Sequence, residues 1–125
     1  MELSAGDILH ALCIFTKPQP KYKYVVCICP IYPLFFLINS SPRKSTSDAQ
    51  ILIKKDEFSF LDHDSYINTA TPCTIYQNEI DNAEKVGFLT KNIKSEIIEV
   101  VKKCRYLPQA QKELIEKNFS AQSSS

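Results

Sequence analysis

A small, mainly β domain closed by C-terminal helices, an α+β fold, is predicted by three observations on this chain of 125 residues. Between residues 8 and 76 the apolar residues fall in short runs, several of them β-branched, separated by turns rich in proline, serine and aspartate. That is the pattern of short strands joined by tight connections. No helical period crosses these runs, which favours a small twisted barrel over a parallel sheet with crossover helices. Beyond residue 90 the pattern changes to apolar residues at helical spacing with charges between them. With 44% of its residues hydrophobic, the chain can bury one core. It reads as a single domain over 1–119, with the barrel at about 5–90, helices at about 91–119, and a disordered tail at 120–125.

In chain order, Ile8-Leu9-His10-Ala11-Leu12-Cys13-Ile14-Phe15 reads as a first strand. Lys17-Pro18-Gln19-Pro20 stops it, because two prolines in three residues forbid helix and leave an extended loop. Lys21-Tyr22-Lys23-Tyr24 then alternates charge with aromatic and flows into Val25-Val26-Cys27-Ile28-Cys29, a strand buried on both faces. Pro30 and Pro33 bracket a tight connection to a central strand, Leu34 to Ser40. Residues 41–48, with Ser41, Pro42, Arg43, Lys44 and three further hydroxyl residues, have the composition of an exposed, mobile loop. Gln50 to Lys54 is a short strand followed by a turn around Asp56. Ser65 to Thr69 is another, interrupted by Pro72 and resumed at Cys73 to Tyr76. Val86 to Thr90 is extended and ends in an N-cap. The helix after it buries Ile93, Ile97, Val100, Val101 and Cys104. Pro108 suits the first turn of a second helix, whose thin stripe is Ala110, Leu114, Ile115 and Phe119.

Several classes of function are set aside by composition. No apolar run approaches bilayer length, and Met1-Glu2-Leu3-Ser4 has neither the basic start nor the apolar core of a signal peptide, so a soluble, cytoplasmic protein with no membrane partner is expected. Five cysteines without a CxxC pair fit free thiols in a reducing compartment better than disulfides or a zinc site. The net charge of +1 divides into +4 over residues 1–55 and −3 over 56–125. The N-terminal half can therefore carry a phosphate-facing patch, but the chain is too weakly basic to hold nucleic acid by charge alone.

The densest chemistry lies at Asp62-His63-Asp64-Ser65, two carboxylates, an imidazole and a hydroxyl in consecutive positions at the entry to a strand. One reading is a solvated turn whose aspartates satisfy local amides. The other is a catalytic loop, anchored on its strand side and wet on its loop side. His10, inside the first apolar strand, reads as structural.

The order of parts resembles the PemK/MazF toxin family over roughly residues 5–105. The residues that carry the resemblance are the Gly6-Asp7-Ile8 opening, the strand after a basic, proline-containing loop, the strand ending in Asn39-Ser40, the segment Leu61-Asp62-His63-Asp64-Ser65-Tyr66-Ile67, and Ile80 with Val86-Gly87-Phe88-Leu89 before a helix. The resemblance implies a small SH3-like, PemK-like β-barrel that forms a homodimer, cleaves single-stranded RNA as an endoribonuclease without metal or cofactor, and is silenced by an antitoxin protein. Two family arginines are replaced: Lys23 stands where one would be, and Cys73 where a later one falls in some members. A lysine keeps the charge but loses the bidentate fork.

Cleavage of RNA without a metal needs a base for the 2′-OH proton, an acid for the leaving oxygen, and donors or cations for the developing charge. His63 can serve as base or acid near neutral pH. The catalytic set expected is His63, Asp64 (or Asp62) to orient it, Lys23 for charge and Ser40 for a hydrogen bond. Lys21, Arg43, Lys44 and Ser65 are expected to contact RNA, with Tyr22 and Tyr24 stacking on unpaired bases at about 1–3 kcal/mol each. The alternative is a non-catalytic barrel that binds a protein or nucleic-acid partner through its basic side. A metal hydrolase built on Asp62, His63 and Asp64 is the weakest reading, since ligands so close in sequence seldom converge.

Overall fold

The computed structural model describes residues 2–41 and 48–121. Six strands, β1 (Asp7–Cys13), β2 (Lys21–Cys29), β3 (Leu34–Asn39), β4 (Gln50–Ile53), β5 (Ser65–Thr74) and β6 (Glu84–Phe88), pair antiparallel in the order β4-β5-β3-β2-β1-β6. The sheet curls into a half-barrel rather than closing, so β4 and β6 are its edges. Among the described residues a short α-helix, α1 (Gln77–Asp81), lies between β5 and β6, and α2 (Lys91–Lys103) and α3 (Gln109–Ala121) follow β6. No helix among the described residues is long and apolar enough to cross a membrane.

The sheet is a middle layer with apolar groups on both faces. Along β2, Val26 and Ile28 point to the main core, and Val25 and Cys27 to a smaller one on the opposite face. This is why the run 25–29 lacks alternation: each face of the pleat is covered. On the main side, Ile93, Ile97 and Val101 of α2 and Ile115 and Phe119 of α3 lie against the sheet, with Phe119 edge-on to Phe36 at 6.3 Å between ring centres. On the other side α1 contributes Ile80, which with Ile75 covers Leu9, Ala11, Cys13, Val25, Cys27 and Phe35.

Most helix signals in the sequence are realised, although Val100 is only half-buried and Cys104 is the C-cap of α2. The Thr90 side chain accepts a hydrogen bond from the Ile93 amide at 3.3 Å, capping α2. Ile93, Ile97, Val101 and Cys104 are buried, and so are Ile115 and Phe119 of α3, but Ala110 is exposed and stands off the apolar stripe. Helix α3 continues to Ala121, into the segment expected to be tail. Helix α1 is a single short turn of five residues that no sequence period announces.

Pro72 does not divide a strand in two. β5 runs unbroken from Ser65 to Thr74, and the proline sits where its pairing with β3 slips, between Asn68 opposite Leu37 and Cys73 opposite Phe35. A proline is tolerated at such an irregularity because it need not donate to the ladder. Buried Asn68 braces the slip. Its side-chain oxygen accepts from the Ala70 amide and from Gln50, both at 3.0 Å, and its amide donates to the Thr71 hydroxyl at 3.1 Å.

Gly6 ties the N-terminal end of β1 to the chain on both sides of it. Its amide donates to Cys27 at 2.8 Å and its carbonyl accepts from Leu89 at 2.9 Å. Its φ of +96° is open to glycine, and a Cβ there would lie 2.7 Å from the Lys94 side chain.

Candidate functional site

The site is built where the sheet parts. Pairing between β2 and β3 ends at Val25 opposite Leu37. Beyond that point Lys21 to Tyr24 pair only with β1, and Ile38 and Asn39 only with β5. The two strands diverge and leave a notch, crossed by a hydrogen bond of 2.9 Å from the Lys23 ammonium to the Asn39 side-chain oxygen. Because side chains alternate across a strand, the notch opens differently on the two faces of the sheet.

On the face that carries Tyr22 and Tyr24, a cleft of about 240 Å³ gathers Tyr22, Lys23, Tyr24, Ser40, Asp62, His63 and Ser65 over a floor of Ile38 and Leu61. Six of the ten site residues expected from sequence therefore meet in one place, although 42 positions of chain separate Lys23 from Ser65. Topology does this: the start of β2, the end of β3 and the start of β5 lie at one end of the sheet because neighbouring strands are antiparallel.

His63 is exposed at the mouth of the cleft and its ring is fixed on one side. Nδ1 lies 3.1 Å from the Asp64 carbonyl oxygen, which can only accept, so Nδ1 carries the proton. The buried Ser65 hydroxyl donates to the His63 carbonyl at 3.1 Å and offers a lone pair to Nδ1 at 3.4 Å. In the neutral ring the lone pair is then on Nε2, the form a general base needs.

The two carboxylates beside His63 have different surroundings. Asp64 turns its Oδ1 to the Lys55 amide at 2.9 Å and is not among the residues lining the cleft. It fastens the β4–β5 connection, while Asp62 lines the cleft and is the carboxylate placed to meet a ligand there. Asp62, His63 and Asp64 do not converge, and no group of three His, Cys, Asp or Glu side chains suited to a metal ion occurs among the described residues.

Aromatic rings continue from the cleft across the sheet. Tyr22, 61% exposed, is 5.3 Å from the His10 ring, His10 is 4.8 Å from Tyr24, and Tyr24 is 4.7 Å from Phe60. The half-buried His10 thus belongs to the row as a spacer between the two tyrosines, set there by its register opposite Tyr24.

On the opposite face the notch opens into a second, larger chamber of about 550 Å³, walled by Lys17, Lys21 and Lys23 with Phe15, Leu37 and Asn39, and bounded by Thr16, Ser40 and Ser41. Lys23, Asn39 and Ser40 line both chambers. Lys21, expected to contact RNA, lies here and not in the cleft with His63. Arg43 and Lys44 lie outside the described residues. Phe15 and Lys17 were absent from the sequence-based set, since the path of the β1–β2 loop that brings them to the chamber depends on tertiary packing.

Electrostatics separate the site from the core behind it. Burial pushes the Cys27 and Cys73 thiols up to about 12, and raises that of Cys13. The charge of Lys23 opposes the shift at Cys13 and Cys73 without overcoming it, so burial favours the protonated thiol at both.

No protein-family model matches this chain, and no curated protein matches it.

Proposed function

We propose that this protein is an endoribonuclease that binds single-stranded RNA at the parted end of its sheet and cleaves it with the RNA's own 2′-hydroxyl as nucleophile. The observation that carries this reading is the meeting of His63 with Lys23, Ser40 and two tyrosines in one cleft. Nε2 takes the 2′-OH proton as the 2′-oxygen bonds to phosphorus. The bond to the 5′-oxygen then breaks, and the imidazolium returns the proton to that oxygen. The products are a 2′,3′-cyclic phosphate and a 5′-hydroxyl, with no proton gained or lost. Lys23 and the Ser40 hydroxyl stabilise charge on the phosphoryl oxygens, and the tyrosine faces hold flanking bases. The resemblance to PemK/MazF toxins adds to this proposal a homodimer and an antitoxin that blocks the cleft.

Incubation of the purified protein with a long single-stranded RNA in excess EDTA, followed by mapping of 5′-hydroxyl ends, tests the proposal. Sequence-specific ends should form with the native protein and fall by about 10²–10⁴-fold in His63→Ala, the usual contribution of an acid–base group. The exposed position of His63 leaves the fold of that variant intact. Intact RNA after incubation with folded native protein would overturn the cleavage reading. A binding module would then be favoured, because the tyrosine row and the lysines form an RNA-binding surface that does not depend on His63.

A further inference from the structure

We infer that the chamber on the far face of the sheet is a second nucleotide subsite, so that the ligand passes through the notch and is held on both sides of Lys23. This rests on the reading of the His63 cleft as an RNA site and extends it to residues outside that cleft.

Four observations support the assignment. The chamber's volume, about 550 Å³, falls within the range of small-ligand pockets and suits one nucleotide. Its wall combines three ammonium groups with no carboxylate among the lining residues, and no salt bridge engages Lys17, Lys21 or Lys23 among the described residues. That is the electrostatic signature of a phosphate site rather than of a neutral ligand. Phe15, 40% exposed, and Leu37 supply an apolar wall on which a base can lie. Finally, the two chambers share Lys23, Asn39 and Ser40, and β2 and β3 are unpaired between them, so the contact a backbone must displace to run from one chamber to the other is the Lys23–Asn39 side-chain hydrogen bond and not a strand pairing.

In this arrangement Lys23 meets the phosphate that bridges the two nucleotides. Lys17 and Lys21 meet the next phosphate on the far side. A single nucleotide can fill only one chamber, whereas an oligonucleotide of two or more units engages both.

The test uses fully 2′-O-methylated oligonucleotides of one to six units, which lack the nucleophile and cannot be cleaved, with binding followed by fluorescence anisotropy at about 50 and 200 mM salt. For the native protein, affinity should rise steeply between one unit and three. Lys17→Gln/Lys21→Gln should weaken the hexamer by about tenfold or more and lower the salt slope by about 0.7, one phosphate contact on a single strand, while leaving the mononucleotide nearly unchanged. Lys117→Gln, an exposed lysine on α3, serves as the charge control and should alter neither quantity.

Hexamer binding as tight in the double variant as in the native protein, or an equal loss in the Lys117→Gln control, would overturn the second subsite while leaving the His63 cleft standing. Native protein that binds the hexamer but leaves unmodified RNA intact would overturn cleavage and not the subsite. Native protein that binds no oligonucleotide would overturn both. Affinity already complete with the mononucleotide would show a free-nucleotide pocket and overturn the bridging arrangement.

Discussion

Cys27 illustrates how a single buried atom sets the behaviour of the fold in alkali. Its thiol is fully enclosed, and burial raises it from an ordinary 9.0 to about 12. Between those values the unfolded chain releases a proton that the folded chain keeps. Stability is therefore complete below about pH 9 and declines as pH rises toward 12, by about 1.4 kcal/mol per pH unit for a fully buried thiol. Urea melts at about pH 8 and about pH 10.5 should show a lower midpoint at the higher pH, and Cys27→Ala should narrow the difference. An unchanged midpoint would show that the thiol ionises without unfolding. At the same scale, the sequence exposed His63, Lys23, Tyr22, Tyr24, Ser40 and Ser65 because each interrupts or borders an apolar run. It did not distinguish Asp62 from Asp64. Two carboxylates on either side of a turn residue face different ways, and only the backbone path, which here ties Asp64 to Lys55, decides which one meets the cleft.

β5 shows what an element can absorb when its irregularity is braced. Asn68 holds the slipped register with three side-chain hydrogen bonds, and it is 1% exposed. Asn68→Ala leaves the Ala70 amide and the Gln50 side chain without that acceptor, and should cost about 2–4 kcal/mol, measured as the shift in urea-unfolding free energy. Thr71→Ala, which removes one exposed hydroxyl, should cost under about 1 kcal/mol. Equal costs would mean that the slip holds without Asn68. Pro72 reads as a strand breaker because proline's missing donor is visible in sequence, whereas the bulge that excuses it is a property of the partner strand β3. The helix boundaries were readable for the opposite reason. Thr90 and Pro108 act within a few residues of themselves, so local chemistry is enough.

The whole molecule depends on its last helix more than a C-terminal position implies. Phe119 is 1% exposed, packs edge-on against Phe36, and its neighbour Asn118 donates to the Ile28 carbonyl at 2.8 Å. Phe119→Ala should lower the unfolding free energy by about 3–5 kcal/mol, the usual cost of emptying a large aromatic site, as read by urea melts. A loss below about 1 kcal/mol would show α3 to be an ornament on a core complete without it. Short strands followed by amphipathic helices were legible as a fold class, but the strand order was not. β5 lies between β3 and β4, and β6 pairs with β1 across most of the chain, through contacts that no local pattern encodes. The notch lies within that order: where β2 and β3 stop pairing, β2 continues on β1 and β3 on β5.

The divergence of β2 and β3 also bears on what kind of strand the proposed RNA site would admit. A ligand held in chambers on opposite faces of one sheet must turn sharply within the span of a nucleotide or two. Duplex DNA stays stiff over about 150 base pairs, and bending a short site by even 40–90° costs on the order of 1–6 kcal/mol. An unpaired strand makes the same turn through freely rotating backbone bonds. Under the proposed arrangement, discrimination against paired nucleic acid would come from mechanical compliance, with no group assigned to read the difference.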